Sequence, residues 1–145
     1  MAYSGLALEE FEGRVTSMLD DSSVLNYQVL LIDQSLLQVL GDLTRATGVQ
    51  VEIADLNGAS TTTVDLRDED LVIRGACAYC LRTQAASRSQ AANLGQSMPS
   101  NLLDLAKNWM YYYEGAIKTV RVRTIQESAN NKPGAWEWDE SDKKW

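Results

Sequence analysis

Leu25, Val29, Ile32, Leu36, Val39, Leu40 and Leu43 recur at spacings of three and four, which only a helix turns into a single apolar stripe. The pattern stops at Thr47-Gly48, where glycine suits the left-handed residue that follows a helix end. Similar stripes flank it. Leu8, Phe11, Val15 and Met18/Leu19 predict a first helix over about Ser4–Leu19, with Glu9, Glu10 and Glu12 early, where the helix dipole favours acids. Asp20-Asp21-Ser22-Ser23 reads as the break before the second helix. A third helix is expected from about Asp68 to Asn93, with a small-residue face of Gly75, Ala78, Leu81/Arg82, Ala85 and Ala92 that lets another helix approach closely. After a break over Gly95–Pro99, with Ser100 as cap, Leu102, Ala106, Trp109, Tyr113, Ile117 and Val120 predict a last helix to about Glu127. Val120-Arg121-Val122-Arg123 alternates like a strand and leaves that end ambiguous.

Residues 49–66 change period. Val49–Leu56 and Ser60–Leu66 alternate about Asn57-Gly58, the strongest two-residue hairpin signal. Closing there sets Ile53 opposite Thr62, Val51 opposite Val64 and Val49 opposite Leu66, all on one face. A one-residue slip would undo the match. The reading is therefore mainly α, a bundle of about four helices with one β-hairpin insertion over about 49–66. The body spans residues 1–128 and an extended C-terminal arm spans 129–145.

The arm follows the breaker cluster Ala129-Asn130-Asn131-Lys132-Pro133-Gly134. It holds Trp136, Trp138 and Trp145, three of the four tryptophans, outside any period that would bury them. Trp136 and Trp138 share one side of an extended chain, with Glu137 and Asp139 opposite. Large apolar side chains of this kind anchor interfaces. The expectation is an arm that orders in a groove of a partner or of a neighbouring subunit; the alternative is that it folds back on its own bundle.

Function classes narrow by elimination. The 145 residues include no histidine and two cysteines. Cys77-Ala78-Tyr79-Cys80 lacks the two further ligands that zinc requires. It lies mid-helix rather than at the strand-to-helix turn expected of a redox pair. Both cysteines read as small packing groups. Carboxylate pairs such as Asp20-Asp21 and Asp68-Glu69-Asp70 sit at helix boundaries, where capping explains them. No serine or cysteine has a base to activate it, and no phosphate-binding glycine loop occurs. No catalytic residue, metal or cofactor is expected, so the chain reads as a non-enzyme. Tyr111-Tyr112-Tyr113 covers about 300° of a helix. Tyr113 belongs to the stripe, and Tyr111 and Tyr112 either form a second contact or stay partly exposed.

The net charge is −7, with five acids and one arginine in residues 1–24 and three acids and no base in residues 49–66. Without a basic stripe, specific or tight DNA binding is not expected. An acidic surface suits solubility, or the passage of DNA without adhesion. No stretch approaches a membrane span, and Met1–Gly5 lacks a basic-then-apolar leader, so synthesis in a reducing cytoplasm is expected.

The order of these elements, with the texture Leu71-Val72-Ile73-Arg74-Gly75-Ala76-Cys77-Ala78-Tyr79, resembles the head–tail adaptor (connector) proteins of tailed bacteriophages over roughly residues 5–128. The resemblance implies a virion structural protein of the phage neck, made in the host cytoplasm. It would form a homo-oligomeric ring, commonly of twelve copies, that binds the portal protein on one side and a tail-side neck or tail protein on the other. DNA would pass through as non-specific cargo. The interface candidates are Trp136, Trp138, Trp145, Tyr111, Tyr112, Asn57 and Gly58. The competing expectation is a soluble phage assembly factor or chaperone-like helical protein.

Overall fold

A computed structural model describes residues 2–19, 29–93 and 100–131. Four helices run in chain order: α1 (Leu8–Met18), α2 (Val29–Thr47), α3 (Glu69–Asn93) and α4 (Ser100–Asn131), with a 3-10 turn over Leu66–Asp68 before α3. The mainly helical reading holds. α3 packs against each of the other three helices, and α2 also packs against α4.

The stripes explain the core. Phe11 and Val15 of α1, Ile32, Leu36, Val39 and Leu43 of α2, and Val72, Ala76, Cys77 and Cys80 of α3 are buried with Ala106, Tyr113 and Val120 of α4. Val29 is 50% exposed, so among the described residues the α2 stripe is core from Ile32 onward, and Leu25 lies outside them. Gly48 takes φ 74° and donates its N–H to Thr44 O at 2.8 Å, closing α2 where the sequence indicated. Gly75 is the close-approach point of α3. A Cβ there would lie 2.5 Å from Tyr113 Cε1 and 2.8 Å from Val39 Cγ2.

Several boundaries shift. α1 begins at Leu8 rather than Ser4, because residues 2–4 run extended beside 64–66. The Ser4 N–H reaches Val64 O at 2.6 Å and the Leu66 N–H reaches Ala2 O at 2.9 Å. α4 continues past Glu127 to Asn131, so residues 129–131 belong to the helix and not to an arm. Val120 is buried while Val122 is 53% exposed, so the strand-like alternation there is helical amphipathicity sampled over four residues.

The β-hairpin is the main correction: no strand occurs among the described residues, and 49–66 is an irregular chain reversal. Its turn is present. Asn57 and Gly58 take φ 54° and 79°, both positive as a type I′ turn requires, and the Ala59 N–H bonds Leu56 O at 3.2 Å. The Thr63 N–H donates to Glu52 O at 2.9 Å, in the expected register. The ladder then fails because side chains compete with it. Threonine hydroxyls take outgoing N–H groups, Thr63 Oγ1 from Glu52 at 2.9 Å and Thr62 Oγ1 from Ala54 at 3.0 Å. In this register Val64 and Leu66 turn their backbone groups away from residues 49–51, and they bond residues 2–4. Ile53, Leu56 and Val64 are buried against the bundle, whereas Val49 and Leu66, the expected third pair, are 66% and 55% exposed.

Candidate functional site

Asp42 lies one turn beyond Val39 and four residues before Ala46 on α2, at the edge of the buried stripe, so its carboxylate enters the bundle. Its Oδ2 accepts the Tyr79 hydroxyl of α3 at 2.5 Å and the Tyr113 hydroxyl of α4 at 2.6 Å. Arg45 pairs with the other oxygen. The two tyrosine rings meet edge to face, 5.6 Å apart and 68° inclined. Burial pushes the Tyr79 hydroxyl up to about 12, reinforced by its bond to Asp42, and pushes Tyr113 further the same way. Both phenols therefore stay protonated donors. Arg82 caps the group, its guanidinium 4.8 Å from the Tyr79 ring centre. Chemically this is a structural lock joining three helices at one acceptor.

Around the lock opens a shallow pocket of about 280 Å³ lined by Asp42, Tyr79, Tyr113, Glu114, Ile117, Lys118 and Arg121. On another side of α4, against α3, lies an apolar groove of about 310 Å³ whose walls include Leu71, Leu105, Trp109 and Tyr112. Arg74, ion-paired with Asp70 at 2.7 Å, edges that groove.

A second polar junction ties the start of α3 to the far end of α4. Asp68 is buried and accepts both Arg123 guanidinium nitrogens, at 3.1 and 2.9 Å. Asp65 caps the 3-10 turn through the Arg67 N–H at 2.9 Å, and Arg67 reaches on to Glu127 at 3.0 Å. The bond from Arg67 holds the Asp65 carboxyl below its ordinary range. Asp68, expected as a helix-boundary acid explained by capping, is also a buried bidentate anchor.

Cys77 and Cys80 are buried and unbridged. Cys80 Sγ lies 3.3 Å from Ser35 Oγ, and Cys77 Sγ donates to Val15 O at 3.7 Å. Burial pushes the Cys77 thiol up to about 12 and raises Cys80 as well, which suppresses the reactive thiolate. They pack α3 against α1 and α2.

Among the described residues, the sequence-predicted interface candidates do not converge. Tyr111 and Tyr112 are 74% and 75% exposed on α4 and touch each other edge to face at 5.6 Å. Tyr112 also lines the apolar groove. Asn57 and Gly58 are exposed at the tip of the reversal, where Asn57 borders a hollow against α2. Trp136, Trp138 and Trp145 lie outside the described residues. The Asp42 lock was not anticipated; an acid one turn from Val39 on a buried stripe is the signal that could have found it. Among the described residues no helix is long and apolar enough to cross a membrane. The chain matches no family model, no curated protein and no solved structure.

Proposed function

We propose that the chain is a structural ring subunit of a phage neck, joining the portal vertex to the tail and lining part of the DNA channel. The observation that carries the reading is the unpartnered aromatic face of α4. Tyr111, Tyr112 and Leu105 stand 74%, 75% and 45% exposed on a helix whose opposite side is buried core. Tyrosines offering an apolar body and a polar tip are typical of protein interfaces. The helical body and its element order supply the resemblance to head–tail adaptors. In this reading the α4 face meets the neighbouring subunit, and the Asn57-Gly58 tip meets the tail-side ring. The arm with Trp136, Trp138 and Trp145 contacts the portal or a neighbour, and the net charge of −7 lets DNA slide without adhesion.

The test is purification of the chain alone and with the portal of the phage that encodes it, followed by electron microscopy of both mixtures and of the intact particle. A ring seated on the portal and retained in the particle supports the reading. Tyr111→Ala with Tyr112→Ala should abolish that ring while leaving the helical content unchanged. A chain that acts during assembly but is missing from the finished particle would instead be an assembly factor or chaperone.

A further inference from the structure

In an acidic chain, one stretch of α4 carries basic side chains that form no ion pair among the described residues. Arg14, Arg45, Arg67, Arg74 and Arg123 each hold a carboxylate within 4 Å. Among the described residues Lys107, Arg82, Lys118 and Arg121 form no such pair; Lys118 and Arg121 border the pocket over Tyr79 and Tyr113, together with Asp42 and Glu114, and Arg82 lies over the Tyr79 ring. Lys118, Arg121 and Ile125 follow at spacings of three and four, so they share one face of α4. Lys118 and Arg121 are exposed, and Ile125 is a 62% exposed apolar residue beside them.

The chain carries its own complement. Beyond Asn131 come Trp136, Trp138 and Trp145 together with Glu137, Asp139, Glu140 and Asp142. We propose that residues 132–145 dock antiparallel on this face of their own α4, with Trp138 on Ile125 and with Glu140 and Asp142 at Arg121 and Lys118.

Distances agree with that register. At about 1.5 Å per helical residue, Ile125, Arg121 and Lys118 stand roughly 9, 15 and 20 Å before the end of α4. Pro133-Gly134 supplies a turn signal directly after the helix. A segment returning from there at about 3.3 Å per residue passes those levels with Trp138, Glu140 and Asp142, at roughly 10, 17 and 23 Å. These three alternate residues face one side of an extended chain. The apolar contact and both charge contacts can therefore form together. Tethering favours the chain's own helix, because a short linker supplies an effective concentration in the millimolar range, whereas a second copy brings a like-charged body. The proposal concerns the isolated subunit and is independent of the neck reading; a partner in an assembly would displace this contact.

Carbodiimide cross-linking of the full chain, with peptide mapping, tests it. Lys118 should link to Glu140 or Asp142 within the monomer, at a yield unchanged by dilution. Arg121→Glu should lower the Lys118–Asp142 yield several-fold, and adding Glu140→Lys should restore it. A spin label at Ile125→Cys should broaden the indole N–H resonances of Trp136 and Trp138, which reads the contact without a cross-link. Arg121 and Ile125 are exposed, so circular dichroism of their variants should be unchanged. Absence of both cross-link and broadening, or indifference to Arg121→Glu, would overturn the proposal. Cross-links confined to dimers that fade on dilution would overturn it in favour of a second copy.

Discussion

The Tyr113 hydroxyl of α4 donates to Asp42 Oδ2 of α2 at 2.6 Å, across 71 positions of sequence. The same oxygen takes Tyr79 of α3, so the three longest helices share one acceptor. Bonds to a charged acceptor are the stronger kind, and removing the acceptor strands both donors. Asp42→Ala should cost about 2–3 kcal/mol in urea unfolding and Tyr113→Phe about 1–2 kcal/mol. Asp42→Asn, which still accepts, should cost less than Asp42→Ala. Equal losses for Ala and Asn would show that shape, not the hydrogen bonds, matters there.

Gly75 and Gly115 make a matched pair of helical glycines. A Cβ at Gly75 meets the Tyr113 ring at 2.5 Å, whereas one at Gly115 meets nothing within 4 Å. Gly75→Ala should destabilise by about 1–3 kcal/mol through overpacking. Gly115→Ala should stabilise by up to about 1 kcal/mol through helix propensity. Thermal unfolding of both variants measures the contrast, and effects of the same sign would contradict the packing account.

At the chain reversal, Gly58→Val places a branched side chain at φ 79° and should destabilise by about 1–2 kcal/mol. Thr63→Val keeps the shape but leaves the Glu52 N–H without its hydroxyl acceptor, at a cost of about 1 kcal/mol. Hydrogen exchange should quicken at Glu52, which loses its acceptor, before it does at Ala54, which bonds Thr62 Oγ1, or in α2. Unchanged exchange at Glu52 would mean that the Thr63 hydroxyl does not hold the segment.

Glu12 of α1 titrates near 7, raised first by burial, then by a hydrogen bond with Asp33 of α2 and by repulsion from Asp33 and Glu9. Asp33 Oδ1 is buried with no hydrogen-bond partner in the structure, and a proton on Glu12 relieves the repulsion between the two carboxyls. Because the folded value exceeds the ordinary 4.5, this stability is fully present below about 4.5 and is lost as pH rises through about 7. Asp65, lowered by Arg67, acts with the opposite sign at acid pH, so a difference measurement isolates Glu12. Glu12→Gln should gain stability relative to the parent as pH rises from 4.5 to 8. A difference that stays constant over that range would rule the coupling out.

Where periodicity is local, the sequence alone determined the outcome. The stripe from Ile32 to Leu43, its stop at Gly48 and the turn at Asn57-Gly58 follow from φ preferences and the 3.6-residue repeat, which need no distant partner. The burial of Cys77 and Cys80, expected as small packing groups in the middle of a helix, is found on α3. Tertiary structure decided the rest. Residues 49–56 and 60–66 alternate as strands should, yet the hydroxyls of Thr62 and Thr63 take outgoing N–H groups, and the outward backbone groups of Val64 and Leu66 bond residues 2–4. The threonines lie within the hairpin window, whereas the partner at residues 2–4 does not. Asp42 and Asp68 read as ordinary helix acids until Tyr79, Tyr113 and Arg123 arrive from distant segments to bond them. A polar side chain's worth depends on which donors share its low-dielectric surroundings, and only the packing of helices sets that company.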